Sequence, residues 1–138
     1  MPTFCRRSLA NLAECHPDLR VLFAEVIKTH DCSVICGERS EAEQSMAVAN
    51  GTSHAAWPTS MHNVDGATRS TSWAADVVPY PLDWKDTASF HRLAEVVTAT
   101  AANLLRAGKM RYEVRWGGTF RGLVDMPHYE LVGVTRGE

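Results

Sequence analysis

The spacing of apolar positions changes several times along the chain, and each change marks an element. Leu19, Leu22, Phe23, Val26 and Ile27 recur at i, i+3, i+4, i+7 and i+8, the buried stripe of a helix. That helix opens at His16-Pro17-Asp18, with proline in its first turn, and is expected to end near Lys28 to His30. A shorter helix before it is expected to be capped by Ser8 and to run through Cys15. Cys32 to Cys36 reads as a short buried strand stopped by Gly37. Ser40-Glu41-Ala42-Glu43 has the form of a capping box and opens a helix to about Ala49, which Asn50-Gly51 closes.

From Thr52 to Thr71 the periodicity disappears into Ser, Thr, Gly, Asn, Pro and His. A loop longer than about 12–15 residues in a compact domain is usually functional or disordered, and two histidines lie in this one. Trp73 to Pro79 then alternates as a strand, with Ala74, Asp76 and Val78 on one face and Ala75 and Val77 on the other. A proline-rich crossing leads to a helix capped around Asp86, whose Phe90, Leu93, Ala94, Val97, Ala101, Leu104 and Leu105 share one side and which stops at Gly108. Two further strands are expected, at about Tyr112 to Trp116 and Tyr129 to Val134. This order predicts an α+β domain, with helices packed on a small, mostly antiparallel sheet.

Composition adds bounds. The chain has 138 residues, 45% of them hydrophobic, which suits one domain over residues 1–138: N-terminal helices in 1–31 and a motif-bearing core in 32–134. A formal charge of -2, with the basic residues scattered, offers no field for nucleic acid. No stretch of about 18 apolar residues calls for membrane insertion, and the polar residues after Arg6-Arg7 do not form a secretory signal. Synthesis in the cytoplasm as a monomer is expected. Cys32 and Cys36 stand roughly 13 Å apart if both lie on one strand. That is too far to share a ligand or a disulfide, so the four cysteines are expected to be reduced and mostly buried.

The chemistry gathers on few residues. His62, Asp76 and His128 offer two imidazoles and a carboxylate, a three-ligand zinc set with its fourth position open. Asp76 sits in an apolar strand, where a charge is costly unless bound to a metal or paired, here with Arg39 or Arg115. Asp125 precedes His128 by three residues across Met126-Pro127, which cannot be helix interior. A tight turn there would bring Asp125 beside the metal as a general acid/base; alternatively it caps its own backbone. Glu130, two residues past His128 on a strand, shares its face and is a candidate to orient that ligand or line the cleft.

Several segments together carry a resemblance: Gly37-Glu38-Arg39-Ser40 with Gln44, Ser60-Met61-His62, Ala74 to Trp84, Trp116-Gly117-Gly118, and Asp125-Met126-Pro127-His128-Tyr129-Glu130-Leu131. In this order, over about Val34 to Val132, the chain resembles the phage peptidoglycan peptidases of the D-Ala-D-Ala carboxypeptidase and L-alanyl-D-glutamate endopeptidase family. The resemblance implies zinc held by His62, Asp76 and His128, Asp125 as catalytic acid/base, and Arg39 holding substrate or stabilising the developing oxyanion. Ser60, Gln44 and Trp116 are the expected substrate contacts. The segment Asn63 to Ser70 looks like an expanded loop, which makes Asp65 a rival carboxylate ligand. Glu38 stands where the family often has histidine, and Phe120 where tryptophan is common.

The function so implied is zinc-dependent cleavage of a peptidoglycan stem peptide, at the L-Ala–D-Glu bond or at a D-Ala-containing bond. An endolysin of this kind would reach the wall once the membrane is permeabilised. The alternatives are a catalytically silent zinc-binding relative acting as a wall-binding or structural module, and a redox protein using Cys32 and Cys36, which their spacing disfavours.

Overall fold

A computed structural model of the chain describes residues 2–135 and 138. Helices α1 (Arg6–Ala13) and α2 (Pro17–Val26) lead into strand β1 (Cys32–Cys36), helix α3 (Glu41–Ala49) and strand β2 (Ala74–Pro79). Helix α4 (Thr87–Arg106), strand β3 (Glu113–Trp116), a 3-10 turn over Gly117–Thr119 and strand β4 (His128–Val132) complete the order. The sheet runs β1-β2-β4-β3 and every pairing is antiparallel, which gives the expected α+β architecture.

Local chemistry starts and stops these elements much as the residue types predict. Pro17 takes the first position of α2, while the His16 imidazole accepts the Asp18 backbone N–H at 3.0 Å. In α3 the capping box is complete: Ser40 Oγ accepts from Glu43 N at 3.1 Å and Glu43 accepts from Ser40 N at 2.9 Å. Asp86 caps α4 through Ser89 N, and Gly108, at φ 74°, follows its end.

Three expectations need correction. Ser8 does not cap α1; Cys5 is the N-cap residue, and Ser8 is buried one turn inside, where its hydroxyl accepts the Val34 N–H at 3.0 Å. A hydroxyl near a helix start has two uses, and here the sheet edge takes it. His16, the cap of α2, is enclosed between α2, Tyr112 and Glu138. Strand β4 begins one residue earlier than expected and ends at Val132, because Gly133 turns into the left-handed region at φ 82°. Of the cysteines only Cys15 and Cys32 are buried; Cys36 is partly exposed, Cys5 is exposed, and all four are free.

The sheet has two unlike faces. Val34, Ala75, Val77, Tyr129 and Leu131 form one, packed against Leu19, Leu22, Phe23 and Val26 of α2 and Leu93, Val97, Ala101 and Leu104 of α4 in a single core. Alternation of side chains along a strand sends their neighbours Ala74, Asp76, His128 and Glu130 to the opposite face. The pairings Ala74↔Glu130 and Asp76↔His128 bring these residues together. Strand β1 departs from simple alternation. Val34 pairs with Val77, but the register slips and Cys36, not Ile35, pairs with Asp76. The extra residue turns Cys36 away from the core and toward the polar face. Among the described residues, no helix is long and apolar enough to cross a membrane.

Candidate metal centre and cleft

Three elements converge on the polar face. Asp76 and His128 arrive as directly opposed residues of β2 and β4. His62 comes from the long loop, which is tied down on both sides of it: Trp73 N donates to Met61 O at 2.8 Å, and Arg39 N donates to His62 O at 2.9 Å. His62 Nε2 lies 3.1 Å from Asp76 Oδ1 and 3.1 Å from His128 Nδ1, and His128 Nδ1 lies 3.5 Å from Asp76 Oδ1. Nitrogen and oxygen ligands at about 2.0–2.1 Å in a tetrahedral array stand roughly 3.3 Å from one another. The triangle of donor atoms therefore has the size of one face of a zinc coordination shell.

The remaining ring nitrogens are also engaged. His62 Nδ1 donates to Gly37 O at 2.7 Å, and His128 Nε2 donates to Glu130 Oε1 at 2.7 Å. In the neutral ring, each bond leaves the other nitrogen's lone pair pointing into the triangle. Glu130 is held in turn by Arg115, its cross-strand partner, at 2.7 Å. Arg115 is thus Glu130's partner and not that of Asp76, whose nearby cation is Arg39 at 3.6 Å.

Protonation follows these contacts. Burial alone would raise the Asp76 carboxyl, but the two imidazoles more than offset it and hold it well below the usual range. Burial would depress His62, yet the charge and hydrogen bond of Asp76 push it up to about 10. His128 is raised too, the hydrogen bonds to Asp76 and Glu130 overcoming its burial. Asp125 moves upward: burial and then the neighbouring Asp76 charge disfavour its ionised form.

Asp125 reaches the site by the proline-shaped turn. His128 N donates to Asp125 O at 3.1 Å and Asp125 N donates to Gly117 O at 3.0 Å, so the turn closes through its backbone. Asp125 Oδ2 comes within 3.9 Å of His128 Nδ1. Gly117 lets this happen, since a Cβ there would lie 2.2 Å from Asp125 O and 2.9 Å from His128 Cβ.

Asp65 stays apart. Its Oδ1 accepts the N–H groups of Ala67, Thr68 and Arg69, and its Oδ2 accepts from Thr68 Oγ1, so the carboxylate organises its own loop. Arg69 leaves that loop to lie 4.2 Å over the Trp73 ring and to donate to Ser60 O. The carboxylate in the triangle is that of Asp76.

A cleft of about 440 Å³ opens over the triangle, with Arg39, Ser60, His62, Asp125, His128 and Glu130 in its wall. His54, Met61, Phe120 and Leu123 also line it. Of the three expected substrate contacts, Ser60 is in this wall, and Gln44 and Trp116 are not. Gln44 is wholly buried behind Arg39, donating and accepting among protein groups. Trp116 packs against the core and donates its indole N–H to Met126 O at 2.6 Å, bracing the turn that carries Asp125. The residue-by-residue expectations also missed Cys36, whose sulfur lies 3.9 Å from His62 Nδ1. That nitrogen faces Gly37 O, so Cys36 stands behind the His62 ring, outside the triangle. Only its bulge brings it there, and strand alternation gives no signal of a bulge.

The family model of phage L-alanyl-D-glutamate peptidases matches residues 2–132. The chain belongs to that family. A relative from Escherichia phage T5, an L-alanyl-D-glutamate peptidase, is 26% identical over 141 residues, covering 94% of this chain and 97% of its own length. The crystal structure of the Serratia marcescens L-Ala D-Glu endopeptidase ChiX is similar with a TM-score of 0.74 and 29% identity, covering 94% of this chain and 90% of that one. The family match takes in nearly the whole chain, the two N-terminal helices included.

Proposed function

We propose that the protein is a zinc-dependent L-alanyl-D-glutamate peptidase of the endolysin type, which hydrolyses the L-Ala–D-Glu bond of the peptidoglycan stem peptide. The observation that carries this is the triangle His62 Nε2, Asp76 Oδ1 and His128 Nδ1, with its zinc-sized edges and both outer ring nitrogens engaged. Family membership supports the choice of bond over the D-Ala-D-Ala alternative, because the matching family and both similar proteins bear the L-Ala–D-Glu name. Zinc held by these three residues would polarise the scissile carbonyl and activate the attacking water.

The protein's own groups do the rest. Asp125, on the cleft wall beside His128, accepts the water's proton and returns it to the departing D-Glu amine. Burial and the neighbouring Asp76 charge raise its pKa, which favours the first of these steps, since they make the carboxylate a stronger base toward the water's proton. Arg39 faces the same cleft and can pair with a carboxylate of the stem peptide or with the developing oxyanion. Glu130 fixes the His128 ring, and Ser60 supports His62 by accepting its backbone N–H at 3.3 Å. Residues 1–138 act as one catalytic domain, on the wall, after the membrane has been opened from inside.

Digestion of purified peptidoglycan, followed by mass spectrometry of the fragments, tests this. Cleavage should expose D-Glu amino termini, stop with a chelator, return with zinc, and fail for Asp125→Ala. Release of free D-Ala instead would assign the carboxypeptidase reaction, and chelator-resistant cleavage would sink the metal mechanism.

A further inference from the structure

Gln44 lies in α3 with no exposed surface, yet its amide is fully employed. Its Oε1 accepts from Arg39 Nη1 at 3.0 Å and from Asn63 Nδ2 at 3.3 Å. Its Nε2 donates to Ser53 Oγ at 2.9 Å and to Ala55 O at 2.6 Å. Asn63 completes the group: Nδ2 also donates to Arg39 O at 3.1 Å, and Oδ1 accepts from Ser60 N at 3.0 Å. One buried amide thus ties together Arg39, the 53–55 segment of the cleft wall and, through Asn63, the turn that carries Ser60 and His62.

The chemistry of this choice is specific. Two donors and an acceptor are needed at one point, which a primary amide supplies and neither a carboxylate nor a hydroxyl does. The acceptor given to Arg39 is also neutral. A carboxylate there would hold the guanidinium equally well but would cancel its charge, and Asp76, 3.6 Å away on the other side, already takes part of it.

We propose that Gln44 is a positioning residue for Arg39: it aims the guanidinium into the cleft without neutralising it, so that Arg39 meets an anionic group of the bound peptide at full charge. This rests on the peptidase function proposed above only in supplying the anion.

The test measures binding, by calorimetry, of an L-Ala-D-Glu-containing stem peptide to zinc-loaded protein carrying Asp125→Asn to prevent turnover. Gln44→Met should weaken the peptide about tenfold, as loss of a hydrogen bond to a charged group does. In an Arg39→Ala background it should cost nothing further, with zinc content unchanged in both. Gln44→Glu, which keeps the acceptor, should weaken binding as well and flatten its salt dependence. Equal losses from Gln44→Met in both backgrounds would overturn the proposal. So would Gln44→Glu binding with the parent's affinity and salt dependence, an outcome readable even if the methionine variant does not fold. If the parent protein binds no stem peptide, the peptidase function itself fails, a result separate from additivity.

Discussion

Asp76 and His128 are opposed residues on adjacent antiparallel strands, and their facing side-chain atoms stand 3.5 Å apart. Two of the three candidate ligands are therefore set by backbone pairing, and only His62 depends on a loop. A site built this way should hold its geometry before metal arrives, and the consequences can be measured residue by residue.

Asp125 should trade stability for activity. Its carboxyl is raised above the ordinary 3.8 by burial and by Asp76, so the folded protein binds a proton there more readily than the unfolded chain does. Stability from this group is greatest at low pH, falls as pH rises from 3.8 through the raised folded value, and stays lower above it. Asp125→Asn should lower kcat on the order of 10²–10⁴-fold. In metal-free protein at pH 7 it should raise Tm, a gain that fades as pH approaches 3.8. Paired rate and melting measurements check both signs; a lower Tm would contradict the cost assigned to burial.

Glu130 should act on the metal and not on the fold. Glu130→Gln can still meet His128 but no longer favours the required tautomer, nor does it satisfy Arg115 with charge. Zinc affinity, read by competition with a chromophoric chelator, should fall about 10–100-fold. An unchanged affinity would assign Glu130 to the cleft wall alone.

Gly117→Ala should damage the turn that carries Asp125. The added methyl would stand 2.2 Å from Asp125 O, a backbone atom that cannot swing aside. A stability cost of about 1–3 kcal/mol is expected, with a fall in kcat larger than any change in zinc affinity. Gly122→Ala, where a Cβ meets nothing within 4 Å, is the control for stability.

The thiols should divide by position. Burial pushes Cys15 and Cys32 up to about 12, whereas Cys5 is exposed and its hydrogen bonds to Ser8 lower it. Raising pH speeds reaction only as it forms thiolate, so near pH 8 Cys15 and Cys32 carry roughly 10⁻⁴ of it. An aromatic disulfide reagent should modify Cys5 early and reach Cys15 and Cys32 only after unfolding. Rapid modification of all four in the native state would be inconsistent with this core.

Much of this was legible in residue order because local rules were obeyed. The capping box at Ser40, the helical stripe through Leu93 and Val97 and the alternation around Asp76 each reflect a period or cap that acts over a few residues. What escaped depended on contacts between distant segments. Ser8 has the residue type of a cap, but Val34, 26 residues away, claims its hydroxyl. Gln44 and Trp116 have the types of substrate contacts, and only the folded chain shows their polar atoms turned inward to Arg39 and Met126. Asp65 and Asp76 could not be ranked by spacing; the backbone amides of 67–69 separate them.

The two unlike faces of the sheet have a consequence for how the protein tolerates change. Along 74–77 and 128–131, residues of the core alternate with residues of the candidate site, like two messages written on alternate letters of the same words. A complete substitution scan of these segments should oscillate with a period of two, one phase lowering abundance and the other lowering turnover at normal abundance. Variants selected for heat resistance and variants selected for altered cleavage should then come from separate sets of positions and combine freely.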